Sequence, residues 1–191
     1  MKTELKIIKH FIENKKPSTI RDVAKKIKAD YKITHIATQR LVQKNILEVQ
    51  TVGKSSLCRL DEKYYGIEIY ETENQRRLDI LKNKSLGQLY KEIMSKVKTS
   101  SFILLLFGSY AKRKQTKSSD IDMLCVSNEK DFESRISDII SLLPLKIHAL
   151  VFREEEFIRM KDSKKPNVVH EIMGSNIILY GTEAYYRLKN A

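Results

Sequence analysis

Two largely apolar segments, residues 102–107 and 120–126, bracket a polar stretch that begins with Gly108-Ser109 and ends with Ser118-Ser119. Six consecutive apolar residues are short for a helix and suit a strand buried on both faces. The second segment carries Asp120-Ile121-Asp122. In an extended chain, residues two apart point to the same side, so both carboxylates can reach one divalent ion while Ile121, Met123 and Cys125 face a core. Gly108 lets backbone approach a ligand closely. The Ser109 hydroxyl and the amides that open a following helix bind anionic oxygens. A basic loop with Lys112, Arg113, Lys114 and Lys117 joins the two segments. These parts describe a site for metal-dependent phosphoryl or nucleotidyl transfer.

The flanking sequence supplies an α+β frame. Residues 85–97 read as an amphipathic helix with Leu86, Leu89, Tyr90, Ile93 and Val97 on one side. After residue 126 the pattern predicts helix 132–143, strand 145–152, helices 154–160 and 167–173, strand 177–180 and helix 183–188. Chain length suits two small domains. The expected boundaries are 1–63, a helical connector over 64–83 that can carry a homodimer contact, and 84–191.

The net charge of +12 favours an anionic partner. It is uneven: residues 1–63 hold 15 Lys and Arg against 7 Asp and Glu, a balance of +8. Apolar residues at helical spacing predict a helix over 3–12, and a second after Ser18 or Thr19, either of which can cap it. A third helix turns Ile33, Ile36, Ala37, Leu41 and Val42 inward. Its outward face is then Lys32, Thr34, His35, Thr38, Gln39 and Arg40, groups that contact bases or phosphates. Alternation around Gly53-Lys54 predicts a β-hairpin with a basic tip. Three short helices and such a hairpin resemble a winged helix-turn-helix domain. The resemblance implies DNA contact through Thr34, His35, Thr38, Gln39 and Arg40, with Lys54 on the backbone.

Phe107-Gly108-Ser109-Tyr110-Ala111-Lys112, followed by Ser119-Asp120-Ile121-Asp122-Met123-Leu124, resembles the signature of the polymerase-beta-like nucleotidyltransferase superfamily, closest to its minimal type. Residues 171–181 resemble the closing helix and strand of that group. The resemblance implies a mixed sheet with flanking helices over 84–191. It implies that Asp120 and Asp122 hold Mg2+, and that Gly108, Ser109, Lys112 and Arg113 grip the phosphates of a nucleoside triphosphate. Two positions depart from it. Many members have Gly where this chain has Arg113, and a third carboxylate where it has His148. Histidine ligates a metal or accepts a proton but adds no negative charge, so His148 is the third candidate catalytic residue. Glu154, Glu155 and Glu156 are alternative sources of that carboxylate.

Two functions follow. One is an Mg2+-dependent enzyme moving a nucleoside monophosphate from a triphosphate to a hydroxyl, with a nucleic-acid end, a small molecule or a protein such as a partner toxin as acceptor. The other is a DNA-binding regulator or antitoxin whose second domain binds nucleotide or is inactive. No apolar run approaches the roughly 20 residues of a membrane helix, and the N-terminus lacks a signal-peptide core, so the expected setting is cytoplasmic, with no membrane partner. Two cysteines, Cys58 and Cys125, are too few for a disulfide framework.

Overall fold

The computed structural model of the chain describes residues 1–53, 55–116 and 118–191. Lys54, expected at the hairpin tip, and Lys117, expected in the basic loop, lie outside the described residues. The chain forms two compact units, Met1–Asn74 and Gln75–Ala191.

In the first unit, α1 (Thr3–Glu13), β1 (Ser18–Thr19), α2 (Ile20–Ile27) and α3 (Tyr31–Gln43) precede the hairpin of β2 (Leu47–Val52) and β3 (Ser55–Leu60), and α4 (Ile67–Ile80) begins in it. Thr19 caps α2, its Oγ1 accepting from the Asp22 amide at 3.1 Å. Asp30 caps α3, its Oδ1 accepting from the amides of Lys32 and Ile33 at 2.8 and 3.2 Å. These caps set where each helix begins. The sheet has the order β1-β3-β2, antiparallel throughout. Ile7, Ile8, Phe11, Val23, Ala24, Leu41, Ile46 and Cys58 fill the space between helices and sheet.

Helix α3 is rotated from the expected phase. Thr34, Ala37, Thr38 and Leu41 are buried, whereas Ile33 and Ile36 are 55% and 53% exposed. Thr34 and Thr38 are therefore core residues and not DNA contacts. His35 is half-buried, and Gln39 and Arg40 are exposed. Both phases share Ala37 and Leu41, so apolarity alone favours the wrong one. The hydroxyl of Thr34 donates to the Asp30 carbonyl at 2.7 Å, which removes the cost of burying it.

In the second unit, α5 (Lys84–Lys96) precedes β4 (Ile103–Phe107), α6 (Gly108–Ala111) and β5 (Ile121–Val126). Then come α7 (Phe132–Ser141), β6 (Ile147–Phe152), α8 (Glu154–Lys161), α9 (Val168–Gly174), β7 (Ile177–Tyr180) and α10 (Thr182–Asn190). The sheet has the order β6-β5-β4-β7, with β5 and β6 parallel and the other pairs antiparallel. Leu104, Leu106, Ile121, Met123, Cys125, Ile177 and Leu179 share one core with Leu86, Leu89 and Ile93 of α5 and with Phe132, Ile136 and Ile139 of α7. By alternation Ile103, Leu105 and Leu124 face the other side, and α8, α9 and α10 bury Phe157, Val169, Ile172, Tyr185 and Leu188. Arg76 Nη2 of α4 donates to the Asn176 carbonyl ahead of β7 at 2.6 Å. Among the described residues no helix is long and apolar enough to cross a membrane. Cys58 and Cys125 are free and buried, and burial pushes the Cys125 thiol up to about 12.

Two outcomes test the first unit. Thr38 Oγ1 is buried without a hydrogen-bond partner among the described residues. Thr38→Val is expected to raise stability by about 1 kcal/mol in urea unfolding of the full chain. Burial first, and Lys26 second, hold the His10 imidazole below its ordinary value of 6.5. The unfolded chain therefore takes up a proton that the folded one refuses, so this contribution is complete above about pH 6.5 and is lost as pH falls below it. Urea midpoints measured between pH 7.5 and 5.5 should decline, and His10→Gln should flatten the decline.

Candidate active site

Strand directions bring the candidate residues to one end of the second sheet. Because β5 runs antiparallel to β4, it starts beside the point where β4 ends; β6, parallel to β5, starts there too. The same end receives the beginning of β7, since Leu106 pairs with Ile177. The turn after β4, the starts of β5 and β6, and the helix preceding β7 therefore converge.

Phe107 stands opposite Asp122 in the β4–β5 ladder. The next residue, Gly108, has φ +66°, and a Cβ placed on it would collide with the Asp122 carboxylate. The left-handed backbone favours glycine, and any Cβ would force the carboxylate against it to shift. Ser109 and Tyr110 continue into α6, where Tyr110 is buried as an anchor. The loop to β5 is pinned by Ser119 Oγ, which accepts from the Thr116 amide at 2.8 Å. Ile121 N–H donates to the Lys146 carbonyl at 2.8 Å, fixing the start of β5 against the entry to β6. Asp120, one residue ahead of the strand, is exposed; Asp122 lies within it, its side chain 27% exposed.

His148 pairs in register with Asp122 across the parallel ladder. Its Nδ1 lies 3.7 Å from Asp122 Oδ1, and its side chain is 66% exposed. Glu154, Glu155 and Glu156 do not enter the site. They begin α8 beyond Phe152, and four strand residues, about 13 Å, separate His148 from that end. Glu156 instead accepts from the Arg153 amide at 2.9 Å.

Two findings lie beyond the local motif. Lys112 Nζ, at the end of α6, is 2.9 Å from Oε1 of Glu171 on α9, a residue 59 positions away. The Asn167 cap, whose Oδ1 accepts from the Val169 and His170 amides, sets the start of that helix. No local pattern announces the pair. Arg113 has φ +54°, the left-handed region that glycine occupies without strain.

Among the described residues no group of three or more His, Cys, Asp or Glu side chains could hold a metal ion alone. Magnesium does not require one, because it takes one or two carboxylates and completes its shell with water and substrate phosphates. Asp120 and Asp122 are hard oxygen donors at an open strand end, so the donor set fits such a shared ion. The His148 imidazole suits magnesium poorly.

Gly108→Ala is expected to lower stability by about 1 to 3 kcal/mol and to displace Asp122. Gly174→Ala is the control, since its Cβ would meet nothing within 4 Å. Denaturant titration of both variants checks this.

No curated protein and no solved structure matches the chain. A family model described as polymerase beta, nucleotidyltransferase matches residues 88–185, which lie wholly within the second unit and include the Gly-Ser turn, both aspartates and His148. This match covers just over half of the 191 residues, and the chain belongs to the polymerase-beta nucleotidyltransferase family.

Proposed function

We propose that the protein is a magnesium-dependent nucleotidyltransferase that moves a nucleoside monophosphate from a triphosphate to a hydroxyl acceptor. We propose further that residues 1–63 form a winged helix-turn-helix domain that binds DNA. The observation that carries the first part is the close approach of the Gly108 turn to the Asp122 carboxylate, which in this reading sets a backbone for phosphate beside a carboxylate for metal.

In this reading Asp120 and Asp122 hold magnesium, which when bound neutralises the triphosphate and aligns the attacking hydroxyl with the α-phosphorus. The Gly108 backbone and the Ser109 hydroxyl hold the β- and γ-phosphates. Lys112 exchanges its exposed Glu171 partner for phosphate, at little cost because such surface pairs contribute about 0 to 1 kcal/mol. Arg113 adds charge at the same loop. The exposed ring of His148 accepts the proton of the attacking hydroxyl as the bond to pyrophosphate breaks.

The support for DNA binding is the three helices and antiparallel hairpin of the first unit, the charge of +8 over residues 1–63, and the outward Gln39 and Arg40. His35 lines the same helix, and Arg40 is only loosely paired, 3.6 Å from Glu4. A second reading, a DNA-binding regulator or antitoxin whose second unit binds nucleotide without turnover, is favoured by His148. The residue opposite Asp122 supplies no third negative charge.

Calorimetric titration of a non-hydrolysable triphosphate with magnesium, followed by turnover assays with labelled triphosphate, separates the readings. Asp122→Asn is expected to abolish magnesium-dependent binding and to cut transfer by about 100-fold or more. Binding without turnover on any nucleic-acid, protein or small-molecule acceptor supports the regulator; no binding in the wild type refutes the site. Arg40→Ala is expected to weaken DNA binding and to lower the salt slope by about 0.9.

A further inference from the structure

We propose that α3 recognises adjacent A·T pairs in the major groove of duplex DNA, with Ile33 and Ile36 packing on the thymine 5-methyl groups and Gln39 addressing an adenine edge. This rests on the DNA-binding reading of the first unit and adds to it what is read.

Ile33 and Ile36 have no task in the fold. The buried stripe of α3 is Thr34, Ala37, Thr38 and Leu41, and both isoleucines are more than half exposed outside it, Ile33 at its flank and Ile36 on the far side. Isoleucine is also a weaker helix former than alanine or lysine, so neither propensity nor packing accounts for them there. Residues three and four apart are surface neighbours on a helix, so Ile36 is flanked by Lys32, Ile33, Gln39 and Arg40, all exposed. Basic and apolar groups are thus interleaved, with Arg40 projecting between Ile36 and Ile33 and Lys32 beside Ile36.

The core of a protein interface is depleted of charge, which disfavours a second copy of this chain as the occupant. A surface with anionic edges and apolar groups between them fits instead. The major groove is such a surface: phosphates line it, thymine presents a methyl on its floor, and its width of about 12 Å admits one helix. Glutamine makes a bidentate contact with adenine N6 and N7, so Gln39 reads the base paired with a thymine that a neighbouring isoleucine touches. The charge of +8 over residues 1–63 complements the phosphates.

The test begins by selecting bound duplexes from a random-sequence pool with the full chain. Affinity is then measured by fluorescence anisotropy over a salt series, with each thymine replaced in turn by deoxyuridine, which lacks only the methyl. At contacted positions the replacement is expected to weaken wild-type binding about fourfold per methyl. Ile33→Ala and Ile36→Ala should each abolish the thymine preference at one position and leave the salt slope unchanged, because no charge is removed. Circular dichroism confirms that the exposed substitutions leave the fold intact. Equal binding of thymine and deoxyuridine duplexes overturns methyl recognition while leaving DNA binding standing. Failure of every duplex to bind in a salt-dependent way overturns both. Loss of self-association in the isoleucine variants, with base preference unchanged, assigns the face to a second copy and also overturns the proposal.

Discussion

Phe107 pairs with Asp122 in the antiparallel ladder, so the chain must leave β4 directly against a carboxylate. A Cβ there would meet the Asp122 carboxylate, and Gly108 makes the turn in the left-handed region without displacing it. Everything at this end of the second unit follows from the exchange of a side chain for a carboxylate. Asp122 keeps a position among buried neighbours, Ser109 follows the turn, and α6 begins at once and buries Tyr110 in the core of the unit. An ordinary residue at 108 would push Asp122 aside and separate the turn from the acid it adjoins.

The elements of the second unit are legible because its strands are short, apolar and bounded by Gly or polar residues. Each expected strand is present, three of them starting one or two residues later and 177–180 unchanged. Helix α3 shows where such reading fails. A stripe through 33, 36, 37 and 41 and one through 34, 37, 38 and 41 both satisfy helical spacing, and the first contains more carbon. The Thr34 hydroxyl bonds the Asp30 carbonyl within its own helix, which lowers the cost of burying the second stripe. Periodicity reports that a stripe exists; it does not choose between two stripes that share residues 37 and 41.

Within the candidate site, residues close in sequence were legible, and those brought by topology were not. Gly108, Ser109, Asp120 and Asp122 lie in one fifteen-residue span. His148 was placed by counting along the next strand, and the observed register sets it beside Asp122. Glu171 carries no local signal, since its meeting with Lys112 requires that α9 precede a strand pairing antiparallel with β4. The three glutamates of α8, the alternative sources of a third carboxylate, follow the far end of β6. Arg113 stands where the family resemblance implies glycine, and its φ of +54° supplies a physical reason for that glycine.

The central strand β4 has one partner close in sequence and one far away. β5 follows it across a short loop, whereas β7 begins seventy residues after β4 ends. During synthesis Leu104, Leu105 and Leu106 therefore have one hydrogen-bonded side while the other stays open until residues 177–180 leave the ribosome. An unpaired edge of consecutive leucines is a template for the wrong strand. At roughly 5 to 20 residues per second that exposure lasts several seconds, so the yield of folded protein depends on how quickly translation delivers β7.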